Sequence, residues 1–263
     1  MKNQKKVIYP IDKKSKNEPQ LPPRGFYLLP NLFTTVGLFS GFYAIVATIM
    51  PSANYENAAI AIFIAMVMDG IDGRVARLTN TQSAFGGEYD SLSDMISFGL
   101  APALLAFSWG LSSLGKLGWL VAFCYVAATA LRLARFNTQI GTTDKKYFKG
   151  LPCPSAAALV ASLVWVAYEY GMPGNQLWVL AAVVTLCAAI LMVSNVNYYS
   201  FKEIDLKNKV PFIAILGAVS ILILISIDPP VILLTFFLSY VLSGPIITAR
   251  AYLKDLKARK NSA

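Results

Sequence analysis

The sequence contains no histidine and three cysteines, Cys124, Cys153 and Cys187, among its 263 residues. Without histidine, proton transfer near neutral pH must rely on carboxylates, lysine or tyrosine. The cysteines match neither a disulfide framework nor a metal-knuckle spacing, so we interpret them as small packing residues, two in apolar spans and one in a loop. Charge is scarce too, since charged residues make up 14% of the chain, against about 25% in soluble domains.

Hydrophobic residues make up 56% of the chain, and the few charges are clustered, which leaves long uncharged stretches. Apolar stretches of about 18 residues or more are long enough to cross the hydrocarbon core as helices, and a helix satisfies its own backbone in lipid. We therefore predict an all-α integral membrane protein with about eight transmembrane helices. The predicted spans are 28–50, 56–78, 92–112, 117–137, 154–172, 176–194, 210–227 and 230–250.

The basic residues predict the orientation of these spans. If the N-terminus is cytoplasmic, every one of the 23 lysines and arginines except Lys116 lies on the cytoplasmic side, as the positive-inside rule requires. The net charge of +9 then reflects topology and contact with anionic lipid rather than nucleic-acid binding. We predict a multi-pass protein of the cytoplasmic membrane, with both termini inside.

Three segments follow from this interpretation. Residues 1–26 are polar, lysine-rich and without the apolar core of a signal peptide, which predicts a flexible basic cytoplasmic arm. Residues 27–253 form the transmembrane domain. Residues 254–263 form a second basic cytoplasmic tail.

Four aspartates are gathered at the cytoplasmic end of the second and third predicted spans. Asp69 and Asp72 are three residues apart and Asp90 and Asp94 are four apart, so each pair shares a helix face. The short connection between the spans predicts antiparallel neighbours whose carboxylates converge at one depth. Four such carboxylates repel one another unless a cation is bound, and oxygen ligands suit Mg²⁺ or Mn²⁺. The pattern predicts a divalent-metal site at the edge of the bilayer.

Two other interpretations of the acidic cluster were weighed. Solvated acids at helix ends fit a single aspartate better than four at regular spacing with glycines and arginine between them. A small transporter or metal channel would also place acids in a membrane span. That alternative is disfavoured because the acids lie at one edge and no inverted repeat or pair of broken helices is evident.

The aspartate region resembles a known family signature. From Asp69 to Asp94 the chain reads D-x-x-D-G-x-x-A-R, eight residues, then G-x-x-x-D-x-x-x-D, without departure from the signature of the CDP-alcohol phosphotransferases. The resemblance implies a six-helix core, two additional C-terminal helices, a homodimer and two divalent cations. It also implies that Asp69, Asp72 and Asp90 are metal ligands, and that Asp94 is a ligand or neighbour of the second metal and the general base.

Three other segments resemble the phosphatidylserine synthase branch of that family. They are YLLPNLFTTVGLFSGFYAI at 27–45, ARFN at 134–137 and FKGLPCPSAAA at 148–158. The resemblance implies that CDP-diacylglycerol is the donor and L-serine the acceptor. The serine hydroxyl would attack the lipid-side phosphorus, with phosphatidylserine and CMP as products. Glycerol 3-phosphate, inositol phosphate or choline are alternative acceptors for the same donor.

Contacts with the donor are expected near the first helix and around the aspartates. The implied residues are Asn31, Thr34, Gly73, Arg77, Ser83 and Gly86. For Asn31 a second interpretation is open, because a residue in this position after a proline is also typical of a helix N-cap.

The carboxylate of a serine acceptor requires a cation near the end of the fourth span. Arg135 is the first choice because it lies within ARFN, Arg132 and Lys149 are alternatives, and Asn137 is a possible partner for polar headgroup atoms. Anchoring at the cytoplasmic face explains the same basic residues without any substrate. The residue type alone therefore does not tell whether these basic residues bind the acceptor or anchor the helix at the membrane surface.

Overall fold

The computed structural model describes residues 28–50, 52–138, 147–199 and 226–261, together with five positions between 216 and 223. The α-helices with defined bounds are α1 Leu28–Ile49, α2 Tyr55–Leu78, α3 Ala84–Asp94, α4 Ala101–Trp109, α5 Lys116–Thr138, α6 Cys153–Glu169, α7 Trp178–Val193 and α8 Pro229–Asn261. A π-helical segment, Met95–Leu100, joins α3 to α4, and a 3-10 turn, Leu111–Leu114, precedes α5. Two short strands are β1 Tyr147–Lys149 and β2 Asn197–Tyr199.

Among the described residues, four helical runs are long and apolar enough to cross a membrane. They are Leu29–Ile49, Ala84–Trp109, Lys116–Thr138 and Pro229–Arg250. Helices α6 and α7 are apolar but shorter, and the 24-residue α2 ends in a charged segment. The predicted all-α membrane class is confirmed. Most of the predicted span at 210–227 lies outside the described residues, so the number eight stays a prediction.

One predicted boundary differs from the structure. The third span was expected at 92–112, but α3 begins at Ala84, because the Ser83 hydroxyl caps it by accepting the backbone N–H of Gly86 at 3.0 Å. Hydropathy misses this start, since the first two turns of α3 are polar. At the C-terminus α8 continues to Asn261, and the division at residue 253 between membrane domain and tail stays a prediction. The predicted arm at 1–26 lies outside the described residues.

Small and hydroxylated side chains bring α1 into close contact with the helical run from α3 to α4. Ser97 and Ser108 donate to the backbone carbonyls of Gly37 and Thr48 on α1, both at 3.2 Å. At Gly41 the approach is closest, because an added Cβ would lie 2.3 Å from Ser97 Oγ. Small residues and serine hydrogen bonds of this kind are typical of packed membrane helices. The contact holds the π-helical segment, which follows Asp94 in the chain, against α1.

Helix α6 lies in the middle of the bundle. Its buried positions include Ala156, Ala157, Ala161 and Val164, all at most 1% exposed, and it packs against α2, α4, α7 and α8. Alanines on several faces allow neighbouring backbones to approach from more than one side. With 17 residues, α6 thus contacts neighbours that range from 9 residues in α4 to 33 in α8.

A two-stranded ribbon, which the sequence did not predict, leads into α6. Strands β1 and β2 pair antiparallel, with Lys149 opposite Asn197. Gly150 follows β1 with φ of +81°, and an added Cβ there would lie 2.3 Å from the Met192 carbonyl, so both conformation and space require glycine. Three-residue strands are too short for a recognisable alternation, which is why the all-α prediction omitted them.

Helix α8 packs over this ribbon. The Tyr198 ring lies against Gly244, where an added Cβ would be 2.4 Å from ring carbons, and the Tyr198 hydroxyl donates to the Val241 carbonyl at 3.1 Å. Burial raises the pKa of Tyr198 to about 12, so this hydroxyl keeps its proton at physiological pH. The Asn197 N–H donates to Thr248 Oγ1 at 3.0 Å. The C-terminal helix therefore supports the segment that starts α6.

Candidate active site

Three of the predicted aspartates come together where the C-terminal part of α2 meets α3. One carboxylate oxygen from each of Asp69, Asp72 and Asp90 lies within 4.8 Å of the others. They line a pocket together with Thr34, Ser93 and Asp94. All donors are oxygens, which suits a hard cation such as Mg²⁺ or Mn²⁺. The residues present therefore fit the divalent-metal site expected from the sequence.

Asp94 lines the same pocket but is not one of these three converging carboxylates. The negative charges of Asp69, Asp90 and Asp72 and the positive charge of Arg132 all act on it. Directly after Asp94 the backbone changes to the π-helical segment Met95–Leu100. Such segments frequently occur at functional sites. Asp94 is therefore near enough to both the acidic cluster and Arg132 of α5 to interact electrostatically with each.

The second and third spans are neighbours, as predicted: α2 contacts both the π-helical segment and α4. Helix α3 itself packs chiefly on α1, and α1 packs along α2. Thr34 of α1 links the two aspartate helices, since its hydroxyl donates to Asp72 Oδ2 at 2.6 Å and its carbonyl accepts from Ser93 Oγ at 3.3 Å. The spacing of the aspartates does not predict this third helix, because a short connection limits only the distance between two helix ends.

The residues expected to contact the donor form two groups. Asn31, Ser83 and Gly86 lie together, since an added Cβ at Gly86 would be 3.1 Å from Ser83 Oγ and 3.4 Å from Asn31 Oδ1. Helix α1 begins at Leu28, so Asn31 lies inside its first turn and the N-cap alternative is wrong. The proline before it does not mark the helix start, because proline is tolerated in the first turn of a helix.

The second group lies on the last turns of α2. An added Cβ at Gly73 would be 3.5 Å from Arg77 Nη1, and the charge of Arg77 acts on Asp72. A Cβ at Gly73 would therefore touch the guanidinium, whose charge also acts on a proposed metal ligand. A guanidinium near a metal ligand suits phosphate oxygens, because both a guanidinium and a metal bind them.

Of the four residues expected to bind the acceptor, two are hydrogen-bonded to other residues of the protein and one is exposed. Arg135 Nη2 donates to Asn195 Oδ1 at 2.7 Å, and Asn137 Nδ2 donates to Ser91 Oγ at 3.0 Å on α3. Lys149 is exposed on β1. These contacts tie the end of α5 to α3 and to the turn after α7. The first choice, Arg135, is thus engaged within the protein.

Arg132 is the fourth, and its surroundings bring in a residue that the sequence analysis did not assign to the site. Arg132 Nη1 donates to Cys153 Sγ at 3.4 Å, and Cys153 is fully buried at the start of α6. We had interpreted Cys153 as a packing residue in a loop. Its place in the segment FKGLPCPSAAA was the available signal, but spacing within the chain did not connect it with Arg132.

Comparisons with known proteins agree with this geometry. The sequence model of the CDP-alcohol phosphatidyltransferase family matches residues 27–194. A CDP-diacylglycerol–serine O-phosphatidyltransferase of Helicobacter pylori is 37% identical over 221 residues, which cover 84% of this chain and 92% of that protein. An archaetidylserine synthase of Methanothermobacter thermautotrophicus is 35% identical over 175 residues, covering 66% of this chain and 70% of that protein.

A further relative extends the comparison to eukaryotes. A CDP-diacylglycerol–serine O-phosphatidyltransferase of Saccharomyces cerevisiae is 38% identical over 149 residues, or 52% of this chain and 53% of that protein. The helical membrane fold and the aspartate pocket define a membrane-embedded phosphotransferase. The chain belongs to the CDP-alcohol phosphatidyltransferase family, as the match over most of its length shows.

Proposed function

We propose that this enzyme transfers the phosphatidyl group of CDP-diacylglycerol to the hydroxyl of L-serine, giving phosphatidylserine and CMP. The observation that carries the proposal is that Asp94 lines the pocket of Asp69, Asp72 and Asp90 and also interacts with the charge of Arg132. A donor pyrophosphate requires positive charge at the acidic cluster. An amino-acid acceptor requires a base for its hydroxyl and a cation for its carboxylate, and both are neighbours here.

In this proposal Asp69, Asp72 and Asp90 hold divalent cations, with Asp94 as a neighbour of the second. When bound, Mg²⁺ or Mn²⁺ there supplies positive charge to the donor phosphate oxygens. Thr34 holds Asp72 in place through their 2.6 Å hydrogen bond. Arg77, above Gly73, contacts the donor phosphates. Asn31, Thr34, Ser83 and Gly86 line the side of the site where the nucleotide binds.

Asp94 is the proposed general base. It accepts the proton of the serine hydroxyl, whose oxygen forms a bond with the lipid-side phosphorus. The bond from that phosphorus to the oxygen bridging the two phosphates breaks, and CMP leaves with the bridging oxygen. Positioned base catalysis of this kind contributes roughly 10²–10⁴-fold to the rate. Asp69, Asp72 and Asp90 cannot share this role, because they hold the cations.

Serine is favoured over phosphorylated acceptors by the charge near Asp94. A phosphorylated acceptor carries more negative charge than a carboxylate does and demands a denser basic pocket. Choline carries no negative group that would use Arg132. The relatives named as serine phosphatidyltransferases support the same choice, because one of them matches 84% of this chain.

The position of the site relative to the bilayer is part of the proposal. The basic residues at the ends of α2, α5 and α8 favour a cytoplasmic site, with acyl chains in the membrane and serine entering from the cytoplasm. Labelling of single cysteines introduced in the arm and in the tail, in intact cells and in opened membranes, tests both termini. A homodimer is proposed as well, and crosslinking in membranes tests it.

The activity is tested with purified protein, CDP-diacylglycerol labelled in the CMP moiety, and Mn²⁺ or Mg²⁺. We expect CMP release on addition of L-serine and little with glycerol 3-phosphate, inositol phosphate or choline. Release should stop on chelation of the metal and return when it is added back. A preference for another acceptor in this panel would overturn serine as substrate while leaving the family reaction intact.

A transport assay addresses the remaining alternative. Protein reconstituted into liposomes is tested for uptake of Mn²⁺ and, in parallel, for CMP release. We expect CMP release without uptake. Metal uptake in the absence of any CMP release would instead support an ion transporter that uses the acidic cluster.

A further inference from the structure

Tyr89 precedes the proposed metal ligand Asp90 on α3 and makes a contact that has no part in the proposed reaction. Its hydroxyl lies 2.9 Å from Thr35 Oγ1 on α1. The Thr35 hydroxyl donates its single proton to the Asn31 carbonyl at 2.7 Å, so Tyr89 is the donor in its contact with Thr35. Two hydrogen bonds in series therefore run from α3 to the backbone at the start of α1.

A further hydrogen bond joins the same two helices one turn further along α3. Ser93 Oγ donates to the carbonyl of Thr34 at 3.3 Å, and Thr34 is the neighbour of Thr35 in α1. Tyr89 and Ser93 are four residues apart, so they share one face of α3. Two contacts on one face, one turn apart, fix the rotation of a helix about its axis as well as its distance from the partner helix.

The rotation of α3 decides where Asp90 lies. Asp90 is one residue beyond Tyr89 and therefore about 100° further around the helix. One of its carboxylate oxygens lies within 4.8 Å of oxygens of Asp69 and Asp72 on α2. Helix α2 is held by the same turn of α1, since Thr34 donates to Asp72 Oδ2 at 2.6 Å. The hydroxyls of two adjacent threonines of α1 thus each bind one aspartate helix.

We propose that Tyr89 is a positioning residue for the metal site, because its hydrogen bond to Thr35 holds α3 in the rotation that brings the Asp90 carboxylate to those of α2. This inference rests on the proposed function, since it takes Asp90 as a ligand of a divalent cation. Loss of the Tyr89 hydroxyl leaves every carboxylate in the protein but lets Asp90 turn away from the cluster. The result is a lower affinity for the metal rather than loss of the site.

The variant Tyr89→Phe removes the hydroxyl and keeps the other contacts of this residue. The Tyr89 ring stacks on Phe85 at a centroid distance of 6.0 Å, and a phenylalanine ring preserves that stack. Helix α3 also stays attached to α5, because Asn137 Nδ2 donates to Ser91 Oγ at 3.0 Å. We therefore expect the variant to fold.

The primary readout is the Mn²⁺ affinity of the purified protein without substrates, measured by titration with electron paramagnetic resonance. We expect Tyr89→Phe to weaken it about fivefold, the usual effect of one neutral hydrogen bond. CMP release should need about fivefold more Mn²⁺ for its half-maximal rate and should reach the wild-type rate at saturating Mn²⁺. An unchanged Mn²⁺ affinity, or a rate that excess Mn²⁺ does not restore, would overturn the proposal.

The matched control is Tyr170→Phe, which removes a tyrosine hydroxyl bonded to Asp228 Oδ2 at 2.8 Å. Tyr170 follows the last turn of α6 and does not line the aspartate pocket. We expect this variant to bind Mn²⁺ like the wild type, even if thermal unfolding in detergent shows that both variants lose stability. Equal weakening of Mn²⁺ binding in the two variants would mean that Tyr89 only maintains the structure, and would overturn the positioning role.

Two changes at Thr35 test the other partner of the hydrogen bond. Thr35→Ser keeps a hydroxyl and should bind Mn²⁺ like the wild type, whereas Thr35→Val should lose about as much affinity as Tyr89→Phe. The double variant Tyr89→Phe/Thr35→Val should lose no more than either single variant, because both changes remove the same hydrogen bond. Additive losses would overturn the link between the two residues. The Thr35 pair also decides the question if Tyr89→Phe does not fold.

CMP binding separates this inference from a role of the same hydrogen bonds in the nucleotide site. Asn31 is expected to contact the donor, so a chain of bonds that served the nucleotide would weaken CMP binding in Tyr89→Phe and leave the Mn²⁺ affinity unchanged. That result would overturn the proposal. If the wild-type protein bound Mn²⁺ but released no CMP with serine, the proposed function would fall, while the Mn²⁺ titration of Tyr89→Phe would still decide the role of Tyr89.

Discussion

The acidic and the basic sides of this site are assembled in different ways. The aspartates come from α2 and α3, which are joined by a short link, and their positions follow the spacing of the chain. The basic side depends on distant partners, since Arg132 contacts Cys153 21 residues away and Arg135 contacts Asn195 60 residues away. Local spacing therefore predicts the metal ligands, whereas tertiary packing selects the basic residue that faces them.

The acidic and basic sides also differ in whether the elements that support them lie within the part of the chain that the family model matches. The family match ends at residue 194, so it contains the aspartates and α6 but neither β2 nor α8. Yet β2 pairs with the strand before α6, and α8 packs over it through Tyr198 and Gly244. The acceptor side is thus supported by a part of the chain beyond the family match. We expect changes there to affect serine more than the donor.

The largest expected effect is on the acidic side. Asp94→Asn removes the proposed base and should lower the rate of CMP release by roughly 10²–10⁴-fold. It should leave much of the Mn²⁺ and nucleotide binding, because Asp69, Asp72 and Asp90 keep their oxygens. Titration with Mn²⁺ followed by electron paramagnetic resonance measures this binding.

Asp69→Asn is the matched variant, and it should weaken metal binding itself. Equal Mn²⁺ affinities for Asp69→Asn and Asp94→Asn would contradict the separation of ligand and base proposed above.

Next in size is loss of the hydroxyl that holds Asp72. Thr34→Val removes the 2.6 Å hydrogen bond and should weaken Mn²⁺ affinity roughly 10- to 100-fold, the usual effect of losing a partner of a metal ligand. Thr48→Val, at a buried threonine of the same helix whose hydroxyl donates to the Ala44 carbonyl at 2.8 Å, serves as control. If both variants bind Mn²⁺ equally well, the link between α1 and the metal site is not functional.

A third change breaks the close contact that places Asp94. Gly41→Ala puts a Cβ 2.3 Å from Ser97 Oγ and 2.7 Å from Ser97 Cα, and such overpacking costs about 1–3 kcal/mol of stability. Gly87→Ala, where an added Cβ meets nothing within 4 Å, should not destabilise the protein. Thermal unfolding in detergent compares the two. A Gly41→Ala protein as stable as the wild type would show that α1 and the π-helical segment adjust freely.

The smallest predicted change tests the C-terminal support of the acceptor side. Gly244→Ala places a Cβ 2.4 Å from the ring of the buried Tyr198, so the ribbon before α6 must shift. We expect the serine KM to rise roughly 3- to 10-fold while the KM for CDP-diacylglycerol and the Mn²⁺ affinity stay unchanged. Gly217→Ala is the control, because nothing lies within 4 Å of its added Cβ. An equal rise in the KM for serine and the KM for CDP-diacylglycerol would show that Gly244 does not support the acceptor side selectively.

The helices of the bundle could largely be predicted from hydropathy, and the errors have specific physical causes. The start of α3 was missed because Ser83 caps a polar helical segment, which hydropathy assigns to a loop. The ribbon was missed because its strands have three residues each. The contacts of α1 with both aspartate helices were missed, because nothing in the spacing of the aspartates reports on a third helix.

By itself, the sequence determined the membrane class of this protein and the convergence of Asp69, Asp72 and Asp90, because apolar length and helical periodicity act over short stretches of chain. Only the tertiary structure decided which basic residue faces Asp94. Arg132 and Arg135 are three residues apart and chemically identical, so no local pattern distinguishes them. The start of α6 gives Arg132 a buried thiol as partner, and the turn after α7 gives Arg135 the amide of Asn195.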